Sequence, residues 1–243
     1  MSRKLNYSLQ NEYESGISIC IPAYNEEQTI EQVVYDASET LNETNRPGEI
    51  LVIDDCSNDR TWEILQRTKK TVPILHIRRH TTNQGIARTF NELYLWANRE
   101  LVFLYPADGQ WKMKILIDML ELIDIYDLIV ARRIKKHYNL SRQIVSWMFN
   151  ILPRLLFCTQ TYDAGSLKLV RREIYNIPVK STGVFVEAER IVRAKRLGYR
   201  IGSINVDHIP RISGKASGAK LTLITQSIAD VITCWIDIFL LSK

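Results

Sequence analysis

The stretch EILVIDDCSNDRTWEILQRTKK, residues 49–70, decides the fold. It opens with EILVID (49–54), an apolar run of the length of a buried strand. The run ends abruptly in Asp54 and Asp55, and Ser57, Asn58 and Asp59 read as a loop. A helix is expected over 61–70, with Asp59 as the residue that caps its N-terminus. A strand that gives way to acids and then to a helix is half of a βαβ unit.

The same pattern recurs on both sides. Upstream, ISICIP (17–22) is a short apolar run stopped by Pro22, and Ile30, Val33, Val34, Ala37 and Leu41 follow at helical spacing before a turn at 45–48. Downstream, PILHIR (73–78) reads as a strand, and Ile86, Phe90, Leu93, Tyr94 and Ala97 mark a helix. LVFLY (101–105) is a further strand followed by a loop holding Asp108, then a helix over 112–124 and the strand DLIVA (127–131). Strands alternating with amphipathic helices predict an α/β fold with a mostly parallel central sheet, right-handed crossovers and helices on both faces. Ligands in such sheets bind beyond the carboxyl ends of the strands. Asn25, Glu26, Asp54, Asp55 and Asp108 all follow strand ends, so the pattern gathers carboxylates at one rim.

The composition sets the class. With 243 residues, 46% of them hydrophobic and 24% charged, the chain reads as a folded globular protein and not a disordered one. Its net charge of +5 points to an anionic partner. Cys20, Cys56, Cys158 and Cys234 form no CxxC or Cys/His cluster and read as free buried thiols of a reducing compartment. The N-terminus lacks the apolar core of a signal peptide, and no apolar run is long enough to span a bilayer. The chain could still be the soluble part of a longer protein.

The second half is less regular. RRIKKHYNLSR (132–142) carries five Lys or Arg and no acid. QIVSWMFNILPRLLF (143–157) is apolar nearly all round, interrupted by Pro153. YDAGSLKLVRR (162–172) reads as a loop entering a strand, 186–197 as a helix ended by Gly198, and DHIPRISGKASGAK (207–220) as a basic loop. There are no repeats and no low-complexity tracts.

Two loops can carry chemistry. In YPADGQ (105–110), Asp108 and Gln110 lie two apart and could offer two oxygens to a hard cation such as Mg2+ or Mn2+. Taken alone, this loop reads as an ordinary Asx-Gly turn. In the other, either Asp54 or Asp55 could accept hydrogen bonds from a nucleobase or ribose, while Asp59 caps the helix.

IPAYNEEQTI (21–30), VIDDCSNDRT (52–61), NQGIARTFN (83–91) and PADGQ (106–110), in this order, resemble the family 2 glycosyltransferases with the GT-A fold. Among these the resemblance is to dolichol-phosphate mannose synthases and other polyprenyl-phosphate glycosyltransferases. It implies that Pro22, Tyr24, Glu26, Asp54, Asp55, Asn83, Gly85, Ala107 and Asp108 line the nucleotide-sugar pocket. It makes Asp108 and Gln110 ligands of a divalent metal, Mg2+ or Mn2+. Pro106 stands where the family has the first Asp of its metal motif, so one ligand is lost or the metal is held mainly by diphosphate and water.

The resemblance extends to the acceptor side. Arg132, Arg142, Ser146, Arg211 and Ser217 match residues that grip a lipid phosphate. Arg142 and Ser146 are four apart and share a helix face, and the Arg fork suits phosphate oxygens. Asp108, Arg142 and Asp163 are the expected catalytic residues. The implied layout is an extension (1–16), a nucleotide-sugar-binding half (17–131), an acceptor-binding half of the same domain (132–220) and a C-terminal amphipathic helix (221–243).

In that helix Leu221, Ile224, Ile228, Val231, Ile232, Trp235, Ile238 and Phe239 fall on one side, with Asp230 and Asp237 opposite. It could lie on a membrane or pack on the core or on a second subunit. The implied function is inverting transfer of a sugar from a UDP- or GDP-sugar to a polyprenyl phosphate, with the protein peripheral at the cytoplasmic face of a membrane. The alternatives are a soluble glycan or protein acceptor, or a non-catalytic nucleotide-sugar-binding module, the latter motivated by Pro106. Nucleic acid is not an expected partner, because the basic segments lack an aromatic stacking platform. Oligomeric state is not legible.

Overall fold

The computed structural model of the chain describes residues 14–134, 151–181, 183, 185–207 and 221–241. Arg142, Ser146, Arg211 and Ser217 lie outside the described residues, as does most of the expected extension at 1–16. Seven strands form one sheet: β1 (Glu14–Ala23), β2 (Gly48–Asp54), β3 (Leu75–Arg79), β4 (Arg99–Leu104), β5 (Leu128–Arg133), β6 (Lys168–Arg171) and β7 (Ile201–Val206). Their spatial order is β3-β2-β1-β4-β6-β5-β7. The pairs β1·β2, β1·β4, β2·β3 and β5·β7 are parallel; β6 alone runs antiparallel, between β4 and β5.

The helices are α1 (Ile30–Glu43), α2 (Thr61–Thr68), α3 (Ile86–Trp96), α4 (Ile115–Leu120), α5 (Val186–Arg196) and α6 (Leu221–Ile236), which a π-helical turn over Asp237–Leu241 extends and which is counted with that turn below. Strand side chains alternate between faces, and each face carries its own core. Ile17, Ile19, Ile21, Ile50, Val52, Leu101 and Phe103 pack with Val33, Val34 and Leu41 of α1, Leu65 of α2 and Leu116 of α4. Cys20, Leu51, Ile53, Val102 and Leu104 pack on the other side with Leu93 and Tyr94 of α3 and Ile191 and Ala194 of α5. Each fully buried Ile or Leu contributes about 1.5–3 kcal/mol. Helices therefore cover both faces, and ligand access is left to the strand ends.

Several local expectations shift. The strand expected at 73–78 begins at Leu75, since Pro73 has no N–H to give the ladder. The helix expected at 112–124 is α-helical only over Ile115–Leu120. Its flanks tighten into three-residue turns, with Ile115 N–H on the Lys112 carbonyl and Ile123 N–H on that of Leu120. Of the four cysteines, only Cys20 and Cys234 are buried; Cys56 is half-buried and Cys158 exposed.

The C-terminal helix also departs from the simple two-sided picture. Val231, Cys234 and Ile238 pack on Ala188 and Val192 of α5 and on Phe157 and Phe185. Asp237 faces the protein, taking a 2.6 Å bond from Arg193, which also holds Glu189 at 2.6 Å. Asp230 accepts the Gly183 N–H at 3.3 Å. Asp237 therefore ties this C-terminal segment to α5 and Asp230 ties it to Gly183 ahead of α5, and Ile232, Trp235, Ile236, Phe239 and Leu240 are left exposed. Residues 151–157 are helical, with Leu155 and Leu156 exposed and Phe157 stacked on Phe239. No helix among the described residues is long and apolar enough to cross a membrane.

Candidate functional site

The loops that leave β1 and β2 are stitched together at the strand ends. Asn25 N–H donates to Ser57 Oγ (2.9 Å), Asn58 N–H to Asn25 Oδ1 (2.8 Å) and Glu26 N–H to Thr61 Oγ1 (2.9 Å). Asp59 serves both sides, accepting Glu27 N–H through Oδ2 (3.1 Å) and Thr61 N–H through Oδ1 (3.0 Å). Burial raises the Asp59 pKa, but the bonds from Thr61 and Glu27 outweigh it and hold the carboxyl below its usual range. Asp59 thus satisfies an N-terminal amide of α2. Pro22 is buried on β1, while Tyr24 is exposed at the rim.

The adjacent acids divide their work. Asp54 is fully buried; its Oδ1 accepts both Ser57 N–H and Ser57 Oγ–H, and Oδ2 lies 3.0 Å from Arg79 Nε. Asp55 faces the loop after β3. Its Oδ1 accepts Gln84 N–H at 2.7 Å and meets His80 Nδ1 at 2.6 Å, and its Oδ2 accepts Gly85 N–H at 2.9 Å. Asn83 Nδ2 donates to the Asp55 carbonyl at 3.2 Å. A carboxylate offers about four lone-pair positions, so Oδ2 keeps capacity for one more donor. Gly85 sits at φ +82, and a Cβ there would meet nothing within 4 Å. The loop therefore borders open space.

His80 was not legible as a site residue. Besides Asp55, its ring meets Glu92 of α3, with Nε2 2.9 Å from Oε2. Burial lowers the imidazole pKa, but the bonds to Asp55 and Glu92 override it and raise the pKa above its usual value. The bond from His80 lowers the Glu92 pKa, assisted by Arg88 against burial. The available signal was position: His80 is the first residue after β3, as Asp55 is after β2.

The third loop leaves β4. Tyr105 donates its hydroxyl to the Trp111 carbonyl at 2.5 Å and closes the 105–111 loop. Burial, with Asp36 and Asp108 nearby, pushes the Tyr105 pKa up, so the phenol stays a donor. Within the loop Gly109 takes φ +65 and Asp108 Oδ1 accepts Gln110 N–H at 3.2 Å, an Asx turn. Asp108 is nearly buried. Thr29 reaches over from the first loop and donates to the Ala107 carbonyl at 2.6 Å, while Glu26 Oε2 lies 3.3 Å from Thr29 Oγ1. The loops carrying Glu26, Asp55 and Asp108 are thereby joined at one rim.

The oxygen donors of Asp108 and Gln110 fit a hard divalent cation, and Pro106 supplies none. Among the described residues no group of three or more His, Cys, Asp or Glu could hold a metal ion. An ion there would complete its coordination with ligands other than protein carboxylate, imidazole or thiolate.

On the other side of β4, Arg132 is exposed at the end of β5. Its neighbour Arg133, which the sequence did not single out, binds Asp163 with both fork nitrogens, Nε to Oδ2 at 2.6 Å and Nη2 to Oδ1 at 2.8 Å. Both Asp163 oxygens are engaged, so its geometry is that of a residue orienting Arg133. Lys168, paired with Leu104 at the end of β4, donates to the carbonyls of Ala164 and Ser166 and lies 3.1 Å from Glu187 Oε2.

Comparison with known proteins bears on the family and the fold. The family described as Glycosyl transferase family 2 matches residues 18–177. An undecaprenyl-phosphate mannosyltransferase of Micrococcus luteus is 22% identical over 213 residues, covering 81% of this chain and 84% of that protein. An undecaprenyl-phosphate 4-deoxy-4-formamido-L-arabinose transferase of Pectobacterium atrosepticum is 25% identical over 230 residues, covering 90% of this chain and 67% of that protein. Glucosyl-3-phosphoglycerate synthase from Mycobacterium tuberculosis, solved with Mn2+, UDP and glucosyl-3-phosphoglycerate, superposes with TM-score 0.70 at 17% identity over 90% of this chain and 80% of the other. A mannosyltransferase from Pyrobaculum calidifontis, solved with GDP-Man and Mn2+, gives TM-score 0.61 at 20% identity over 92% and 66% of the two chains. The structural likenesses establish a shared GT-A fold.

Proposed function

The chain belongs to glycosyl transferase family 2, and from that premise we propose that it moves a sugar, with inversion, from a nucleoside-diphosphate sugar to a polyprenyl phosphate at a membrane surface. One observation carries the site: the Thr29–Ala107 bond ties the Asp108 loop to the loops that carry Asp55, so nucleoside and diphosphate contacts can fall on one donor. The undecaprenyl-phosphate relatives support the choice of acceptor.

In this reading Pro22, Tyr24, Glu26, Asp55, Asn83, Gly85 and Ala107 surround the nucleoside and sugar, and Asp54 holds the loop beneath them. Asp108 and Gln110 hold a divalent ion, Mg2+ or Mn2+. That ion neutralises charge on the diphosphate. An acceptor phosphate oxygen forms a bond to the anomeric carbon as the bond from that carbon to the diphosphate breaks, and the diphosphate leaves with the electron pair. A phosphate monoester is already ionised near neutral pH, so positioning and charge neutralisation do the work and no strong base is required. Arg132, Arg142, Ser146, Arg211 and Ser217 hold the acceptor phosphate, and Asp163 orients Arg133 beside it. The exposed apolar face of α6, with Leu155 and Leu156, rests on the cytoplasmic surface of a membrane.

A second reading, transfer to a hydroxyl of a soluble glycan or protein, draws on Glu187. Its carboxylate is buried, with Lys168 Nζ 3.1 Å from Oε2 and Oε1 without a hydrogen bond, and Oε1 could serve as a base. Two measurements test the proposal, the second of which separates the readings. Thermal stabilisation by UDP or GDP with Mn2+ tests the donor site. Product analysis with polyprenyl phosphate as sole acceptor tests the first reading, and absence of a lipid-linked sugar there would exclude it.

A further inference from the structure

We infer that His80 is a positioning residue for the nucleotide: as an imidazolium bridging Asp55 and Glu92, it holds the loop 80–85 over the donor site. The inference rests on the donor-site reading above, because it acts through Asp55. The geometry requires charge on the ring. Nδ1 lies 2.6 Å from Asp55 Oδ1 and Nε2 2.9 Å from Glu92 Oε2, so both nitrogens face carboxylate oxygens. A neutral imidazole has one N–H and one lone pair, and the lone pair would confront a carboxylate at one end. With Glu92 ionised, as its lowered pKa supports, and Asp55 accepting the Gln84 and Gly85 amides as a carboxylate, only the doubly protonated ring satisfies both contacts.

The surroundings reinforce this. The groups facing the ring are Asp55 from the end of β2 and Glu92 from α3, the latter also held by Arg88 at 3.0 Å. The neighbouring cation, Arg79, is turned to Asp54. The ring is nearly buried, and His80 N–H continues the sheet by donating to the Asp54 carbonyl at 2.9 Å. The imidazolium therefore joins three elements: β2 through Asp55, β3 through its own backbone and α3 through Glu92. Asp55 in turn receives the amides of Gln84 and Gly85.

Loss of the proton must break one contact. Nδ1–H can stay on buried Asp55, and the arm to Glu92, which is the more exposed carboxylate, is then released. The direction of the His80 shift agrees with a ring charged at neutral pH. Its contribution is complete below the unfolded pKa of about 6.5 and is lost as pH rises through the higher folded value. Nucleotide affinity should fall with rising pH in the same window.

The test combines two readouts on the full chain. Long-range imidazole NMR gives the protonation state of His80, and calorimetry with UDP and with GDP, each with Mn2+, gives affinity from pH 6 upward. The expected result is an imidazolium at neutral pH, amides of Gln84 and Gly85 that exchange faster once it deprotonates, and binding weakened roughly tenfold across that step, the scale of one charge-assisted hydrogen bond. His80→Phe should bind weakly at every pH, and Glu92→Gln should lower the His80 pKa. His80→Arg keeps a bridging charge and should bind with no step in that range. A neutral ring at neutral pH, or a pH step retained in His80→Arg, would overturn the inference. If neither nucleotide binds at any pH, the donor-site reading fails, while the ring titration and amide exchange still decide whether His80 clamps the loop.

Discussion

Thr29 donates its hydroxyl to the Ala107 carbonyl at 2.6 Å across 78 positions of sequence, joining the loop after β1 to the loop after β4. Thr29 is the residue before α1, where a threonine side chain ordinarily caps its own helix, and here it makes no such cap. The bond it makes instead is buried, so the Ala107 carbonyl has no access to water in exchange. Thr29→Val keeps the shape and removes the donor. The expected cost is about 1–3 kcal/mol, read as a lower midpoint in urea. Because the Ala107 loop carries Asp108, UDP or GDP affinity in Mn2+ should fall more than affinity in EDTA. Equal losses in the two buffers would show that the bond supports the fold without placing Asp108.

Asp108 supplies the carboxylate of the proposed metal pair, and Pro106 offers no replacement. Asp108→Ala is therefore expected to abolish transfer, with the melting temperature of the unliganded protein nearly unchanged. Nucleotide stabilisation should become insensitive to Mn2+. Turnover like that of the wild type would remove Asp108 from the mechanism. Nucleotide binding by the native protein, without turnover on any acceptor, would point to a binding module instead.

The alternating elements of the first half were legible because β2 and β4 hold uninterrupted buried apolar runs and α1 has a clear stripe, as Ile50–Ile53 and Val33, Val34, Ala37 and Leu41 show. β6 was only a loop entering a strand. Its antiparallel course depends on pairing between β4 and β5, which local pattern does not encode. The polar rim was visible as residues after strand ends, yet the division of labour between Asp54 and Asp55 was not. It follows from partners far along the chain: Arg79 for one, His80 and the amides of Gln84 and Gly85 for the other. The same limit hid Arg133, whose importance comes from Asp163 thirty positions away.

The clamp between α5 and α6 sets an acid limit on stability. Burial raises the Glu189 pKa, but Ser181, the amides of Lys180 and Ser181, and Arg193 outweigh it and hold the pKa below its usual value. A depressed folded pKa gives a contribution that is complete above the unfolded value of about 4.5 and is lost as pH falls through the folded one. Glu189→Gln should cost on the order of 3 kcal/mol at pH 7, since it leaves Arg193 short of one partner. It should also flatten the loss of stability below about pH 4.5 in denaturant titrations. An unchanged acid profile would assign that loss to other carboxylates.

The outward side of α6 tests the proposed membrane contact. Ile232 and Leu240 are 54% and 58% exposed, whereas Val231, Cys234 and Ile238 on the inward side are buried against α5. Phe239 is unsuited to the test, because it stacks on Phe157 and lies 4.8 Å beneath the Arg196 guanidinium. Substituting Ile232→Asp and Leu240→Asp leaves the inward seam intact, and exposed positions of this kind change stability by about 0.5 kcal/mol or less. If the helix lies on a bilayer, each side chain forfeits about 1.5–3 kcal/mol of burial, so vesicle partitioning should drop at least roughly tenfold. Phosphatidylcholine vesicles isolate this apolar part, because they carry no net charge for the basic segments to use. UDP or GDP binding in solution should not change. Co-sedimentation of the double variant equal to that of the parent would mean that the apolar face of α6 serves some contact other than the lipid surface.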